Sequence, residues 1–172
     1  MPWTVGSGSD TMRSVVRGDG ATSVNELSFR RYAYTLVFKR NLQNRWRPRP
    51  PQTIDLVVPV IDGKTVAELV GWSGGRAGLP ARYVEPFTTQ WSGPPGYGDD
   101  GRAAIIDGDC GVVGCCGVQA DITFDETTVR WSGFTIGPGE PDGREYLFDR
   151  GAYEAAINSI VSLNATPVQE KI

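Results

Sequence analysis

Alternation between apolar and polar residues limits the fold of this chain more than any other feature. Across residues 53–61 every second residue is apolar, namely Ile54, Leu56, Val58 and Val60. Because successive strand residues face opposite sides of a sheet, this period predicts a β-strand, with Pro59 on an edge or near the strand end. The 22 glycines and 12 prolines supply the many turns of a sheet-rich fold.

Another long strand is predicted over residues 27–38, and its pattern changes phase. The later half carries aromatic and aliphatic residues on one parity, namely Tyr32, Tyr34, Leu36 and Phe38. Leu27 and Phe29 fall on the opposite parity. Because a bulge shifts side chains from one face of a strand to the other, we predict a bulge or bend near Arg30 and Arg31.

A hairpin is predicted in the second half of the chain. Residues 103–106 form a short apolar strand, residues 116–124 alternate, and the turn at 125–127 leads into a partner strand. The inward residues of that partner strand are predicted to be Val129, Trp131, Phe134 and Ile136. Their phase changes by one residue, which a glycine bulge at Gly133 accommodates.

Two helices carry recognisable start signals. Thr65 and Glu68 have the spacing of a capping box. Asp149 is a suitable N-cap for a C-terminal helix, and Phe148 and Tyr153 flank it with the spacing of a hydrophobic staple. The apolar stripe of this second helix comprises Tyr153, Ala156, Ile157, Ile160 and Val161.

These elements predict one α+β domain, in which a mostly antiparallel sheet of about five strands carries the C-terminal helix packed on one face. We expect a loosely ordered N-terminal segment at residues 1–25, the domain at 26–166 and a frayed C-terminus at 167–172. Residues 72–102 are predicted to be mostly loop, and a loop this long is either functional or ordered by its aromatic residues.

Composition excludes several functions and favours others. The chain has no histidine, which removes Ser-His-Asp and Cys-His catalysis and histidine-coordinated zinc. Its net charge of -3 gives the molecule as a whole no electrostatic attraction to nucleic acid or to an anionic membrane. No apolar run reaches the roughly 18 residues that span a bilayer, so we expect a cytoplasmic protein without a membrane partner, and the acidic charge disfavours a nucleic-acid partner.

All three cysteines lie within seven positions, which makes this segment the main candidate for chemistry. Cys110 and Cys115 could form a redox pair, a nucleophilic thiolate, or a metal site completed by Asp107 or Asp109. A closed zinc site usually needs four ligands, so we expect no metal and no cofactor. The alternative that we favour is a glycine-rich hairpin loop, with Cys116 in phase with the core.

The basic segment from Lys39 to Arg49 is a candidate nucleic-acid site. Positive charge interleaved with an aromatic ring can follow a phosphate backbone and stack on a base. The residues concerned are Arg45, Trp46, Arg47 and Arg49. We favour the alternative of a solvated, proline-stiffened connection, because the whole chain is acidic.

Three motifs share their spacing with known sequences. Cys-Gly-x-x-Gly-Cys occupies residues 110–115, Val-x-Trp-x-x-Phe occupies 129–134, and Phe-Asp-Arg-x-x-Tyr-Glu occupies 148–154. Over roughly residues 54–163 the chain resembles a family of small uncharacterised bacterial proteins that is frequent in actinobacteria. Members often carry Trp where this chain has Cys116 and Cys where it has Gly108, which weakens any metal role inferred from the family. The resemblance implies a fold and no activity.

Three functions follow from the sequence. The first is a non-catalytic binding or interaction protein, of an immunity or regulatory type, that offers its acidic surface to a protein partner. The second is a thiol-dependent or metal-assisted enzyme using Cys110 and Cys115. The third is nucleic-acid binding through the basic segment. The absence of histidine leads us to favour the non-catalytic hypothesis.

Overall fold

In the computed structural model the described residues are 24–37, 50–74, 76–84, 89–92, 102–108 and 116–171. They form an α+β fold with two sheets rather than the single sheet that the sequence predicts. The first sheet contains β1 (Leu27–Val37), β2 (Gln52–Ile61), β3 (Lys64–Thr65), β4 (Leu79–Pro80) and β9 (Thr166–Lys171). The second contains β5 (Ala103–Ile106), β6 (Val118–Phe124), β7 (Thr128–Ile136) and β8 (Glu145–Asp149). The helices are α1 (Val66–Val70), α2 (Ala81–Val84), α3 (Thr89–Ser92) and α4 (Arg150–Ser159), and a 3-10 turn follows α4 at Ile160–Ser162.

The first sheet has the order β3-β2-β1-β9, and β4 also pairs with β2. Its pairs are antiparallel except for β9, which runs parallel to β1. This strand replaces the frayed end expected at residues 167–172. The ladder beside β2 is interrupted at Val58 and Pro59, between the pairs made by β4 and β3. Pro59 therefore lies where that edge of an otherwise central strand needs no amide donor.

Local signals between β2 and α1 act as the sequence predicts. Asp62 and Gly63 adopt positive φ angles of 50° and 80°, the geometry of a two-residue hairpin turn. The Thr65 hydroxyl accepts from the Glu68 amide at 3.2 Å, and the Glu68 carboxylate accepts from the Thr65 amide at 2.8 Å. The capping box is therefore confirmed. Helix α1 ends at Gly71, which has a left-handed φ of 71°.

The second sheet has the order β5-β6-β7-β8 and is antiparallel throughout. The predicted bulge in β7 is confirmed, because Gly133 has a φ of 60° and the pairing with β6 shifts beside it. Arg102 is bound at this bulge, where its guanidinium donates to the Asp121 carboxylate, the Thr135 hydroxyl and the Gly133 carbonyl. Ile136 was expected to face inward and is instead 43 % exposed, since the chain leaves the sheet there.

The core lies between the sheets and is rich in aromatic side chains. Phe29 of β1 stacks on Trp91 of α3 with ring centroids 5.1 Å apart. The ring centroids of Tyr153 in α4 and Trp131 in β7 are 6.2 Å apart. The Tyr153 hydroxyl accepts a hydrogen bond from the indole nitrogen of Trp131 at 3.1 Å. The predicted staple is present, because the rings of Phe148 and Tyr153 are 5.7 Å apart.

Helix α4 packs against β1, β7 and β8. Its N-cap is confirmed, since the Asp149 carboxylate accepts from the Ala152 amide at 2.8 Å. The predicted stripe holds at Tyr153, Ile157 and Ile160, which are buried. The prediction is wrong for Val161, which lies on the 3-10 turn and is 60 % exposed.

The phase change in β1 has another cause than the predicted bulge near Arg30 and Arg31. Pairing with β2 runs without a break from Leu27↔Ile61 to Leu36↔Gln52. Leu27 and Phe29 face the core, so Tyr32 and Tyr34 lie on the opposite face of an unbroken strand. The first sheet therefore carries apolar side chains on both faces.

Candidate functional site

The face of the first sheet that points away from the core is unusually apolar. On β2, Leu56, Val58 and Val60 lie on this face, whereas Val57 and Ile61 belong to the core on the other side. The exposed fractions of Leu56 and Val58 are only 2 % and 3 %. Solvated faces of antiparallel sheets usually alternate to polar residues, whereas this face is apolar and covered at Leu56 and Val58 within the molecule.

A groove of about 230 Å³ opens on this face. Strand β2 contributes Leu56 and Val58 to its lining, and β1 contributes Tyr32 and Tyr34. Val168 lies beside them, because β9 pairs with β1 at Tyr34. The groove therefore crosses three neighbouring strands, which hold its lining in a fixed register.

The segment leading into β4 closes the groove on the side of β3. Arg76 and Ala77 from this segment and Thr65 at the start of α1 complete the lining. The segment approaches β2 closely at Gly78, where an added Cβ would lie 2.8 Å from Cγ2 of Val58. A glycine is therefore required at this position for the segment to pack on the sheet.

Two arginines, Arg76 and Arg30, lie on the face that carries the groove, although the chain as a whole is acidic. Arg76 is half-buried in the lining. Arg30 has the same strand parity as Tyr32, lies opposite Val58, and donates to the Gly63 carbonyl at 3.4 Å. Hydrogen bonds from Thr65 lower the pKa of the nearby Glu68 carboxyl, and the charges of Arg30 and Lys64 lower it further.

Another cavity, of about 290 Å³, lies beside α4. Its two charged lining residues pair with each other, since the Arg150 guanidinium donates to the Glu154 carboxylate at 2.9 Å. The same guanidinium also donates to the Asp125 carbonyl at 2.9 Å. The Tyr153 hydroxyl in its lining donates to the Trp91 carbonyl, and burial raises the pKa of this phenol above its usual value. A buried phenol held in this way serves the core rather than proton transfer.

The cysteine segment differs from its prediction at Cys116. This residue is half-buried and disulfide-bonded, so the expectation of a plain core side chain is wrong. Cys110, Cys115 and Asp109 lie outside the described residues. Because the chain has three cysteines, an internal disulfide at Cys116 leaves only one thiol, and Cys110 and Cys115 cannot then both be free.

The remaining predicted site residues are placed only in part. Asp107 is half-buried just after β5, and its amide donates to the Gly78 carbonyl at 3.2 Å. In the described ranges no three acidic or cysteine side chains gather in a group that could hold a metal ion. The basic candidates all lie outside the described residues, namely Arg45, Trp46, Arg47 and Arg49.

Sequence reasoning missed the groove residues, although a signal for them exists. The phase change in β1 and the clean alternation in β2 both indicate an apolar second face when β1 is read as unbroken. Arg76 and Ala77 carry no such signal, because they reach the groove through the fold of a loop.

Within the described part of the chain, no helix is long and apolar enough to cross a membrane. The resemblance to the bacterial family stays a prediction. Neither a protein-family model, nor a curated protein, nor a solved structure matches this chain.

Proposed function

We propose that this protein is a non-catalytic binding protein that takes a small apolar molecule in the groove on the outer face of its first sheet. The observation that carries the proposal is the open cavity of about 230 Å³ on the face opposite the core, with a lining that includes Tyr32, Tyr34 and Val168. Ligand sites are typically concave and mostly apolar, with a few polar groups that orient the ligand.

The groove fits binding better than catalysis. Its apolar lining is joined by two tyrosines, a threonine and an arginine. The Thr65 hydroxyl is already bound to Glu68 in the capping box. The Thr65 hydroxyl and the Glu68 carboxylate are 2.7 Å apart, but both belong to the cap at the start of α1, which favours a structural role for this pair. A protein partner of the immunity or regulatory kind stays a prediction, as do the thiol enzyme and nucleic-acid binding.

The test uses nuclear magnetic resonance on the full chain with benzyl alcohol as a small neutral probe. We expect chemical-shift changes concentrated at Tyr32, Val58 and Val168. Val168→Phe fills the groove and should abolish these changes, while Val161→Phe adds the same group on the exposed 3-10 turn and should leave them intact.

Tyr32→Ala provides a second variant, which removes one wall and should weaken binding at least several-fold. Shift changes spread evenly over the surface, or unchanged in Val168→Phe, would contradict the proposal. Absence of any binding would contradict it as well.

The cytoplasmic location belongs to the same proposal. Disulfides are rare in the reducing cytosol, so the disulfide at Cys116 is the observation that weighs most against this location. Extraction of the native protein under thiol-blocking conditions tests it. A reduced Cys116 supports the cytoplasm, and an oxidised Cys116 contradicts it.

A further inference from the structure

We propose that the ligand of the groove is a small amphipathic carboxylate, with an aromatic or aliphatic body and one anionic group. This inference rests on the proposed function. The volume of about 230 Å³ lies below the roughly 300 Å³ at which sites for drug-sized molecules begin, so the ligand is small.

The body of the ligand is defined by the strands. Leu56 and Val58 form the base of the groove, and Val168 adds a branched side chain from β9. Tyr32 and Tyr34 add ring surface, and aromatic groups pack favourably against such rings. A flat or short-chain apolar group therefore suits this part of the lining.

The anionic group is defined by the local charge. Arg76 is the one ionised side chain among the described residues of the lining. Arg30 lies on the same face, so two guanidinium groups accompany a groove in a chain of net charge -3. Guanidinium groups bind carboxylates through paired, charge-assisted hydrogen bonds, whereas a neutral amide gains much less from them.

The Glu68 carboxylate, on which the charge of Arg30 acts, is bound at the start of α1. Glu68 accepts from the Thr65 hydroxyl at 2.7 Å and from the Thr65 amide at 2.8 Å. These bonds hold its charge at the start of α1. Tyr32 in the lining carries a phenolic hydroxyl, a group that can donate to the oxygen of a ligand carboxylate.

The test compares 3-phenylpropionate with its neutral amide, 3-phenylpropanamide, by titration of the full chain. We expect the acid to bind about tenfold more tightly than the amide, which corresponds to about 1.4 kcal/mol. Added salt should lower the affinity for the acid and leave the affinity for the amide unchanged, because salt screens exposed charges.

Variants at the two arginines assign the preference. Arg76→Gln should reduce the preference for the acid to less than about threefold, and Arg76→Lys should retain part of it. Arg30→Gln should lower the preference for the acid by a smaller amount. If Arg76→Gln fails to fold, the Arg30→Gln variant and the salt series together test whether the arginines cause this preference.

The outcomes separate the two proposals. Equal affinity of acid and amide, with binding still lost in Val168→Phe, would overturn the carboxylate class and leave the binding function standing. Binding of neither compound would overturn both. A preference for the acid that survives Arg76→Gln and Arg30→Gln together would also overturn the inference.

Discussion

Replacing Tyr153 with Phe tests the description of the core most sharply. Its hydroxyl accepts from the Trp131 indole nitrogen at 3.1 Å and donates to the Trp91 carbonyl at 2.5 Å, with only 1 % of the residue exposed. Tyr153→Phe keeps the ring and leaves a buried donor and a buried acceptor without their partner. Each of the two unsatisfied groups costs about 1–3 kcal/mol, so we expect a loss of about 2–6 kcal/mol in the free energy of unfolding.

The assay is urea denaturation followed by tryptophan fluorescence. With a slope of about 2 kcal/mol per molar urea, the midpoint of the urea transition should fall by about 1–3 M. Tyr146→Phe is the matched control, because Tyr146 is half-buried, packs edge-on against Phe134 at 5.6 Å, and should change stability by less than about 0.5 kcal/mol. Equal effects of the two variants would refute the hydrogen-bonded role of Tyr153.

Three further predictions concern the bulge, the disulfide and the capping box. Gly133→Ala should destabilise the protein by about 1–2 kcal/mol more than Gly137→Ala in thermal unfolding. Both glycines have a positive φ, but only at Gly133 would an added Cβ lie 2.7 Å from a carboxylate oxygen, that of Asp121. Equal losses would contradict the close approach. Intact mass after alkylation should show one modified thiol before reduction and three after it, and Cys116→Ser should remove this difference. Three modified thiols before reduction would disprove the disulfide. The pKa of the Glu68 carboxyl is lowered in the folded protein, so its stabilising contribution is present above pH 4.5 and is lost as the pH falls through the folded pKa. The difference in unfolding free energy between the wild type and Glu68→Gln should therefore shrink on acidification. A difference that stays constant with pH would contradict this role of Glu68.

Features set by neighbouring residues could be predicted from the sequence. The capping box at Thr65 and Glu68, the N-cap at Asp149 and the bulge at Gly133 each depend on a few adjacent positions. Such contacts form wherever the chain adopts the local conformation, so spacing alone identifies them.

The division into two sheets could not be predicted in the same way. Pairing of β9 with β1 joins residues more than 130 positions apart, and no local pattern records it. The phase change in β1 had two explanations, a bulge or a sheet that is apolar on both faces. Only the register with β2 distinguishes them.

The candidate site could not be predicted either, because its residues come together only through pairing between distant parts of the chain. The groove combines residues of β1, β2, β9 and the segment before β4. Its most informative residues, Tyr32 and Tyr34, were visible in the sequence only as strand residues. The cysteines are close in sequence and so form a visible local pattern, but one of them, Cys116, is disulfide-bonded.

The central claim is that the outer face of the first sheet is a ligand site. A crystal structure of the full chain grown with 3-phenylpropionate tests it directly. We predict that the phenyl ring lies between Tyr32 and Val168, over Val58, with the carboxylate directed to Arg76. Electron density for the probe at another surface, or a groove filled by this chain's own residues, would contradict the claim.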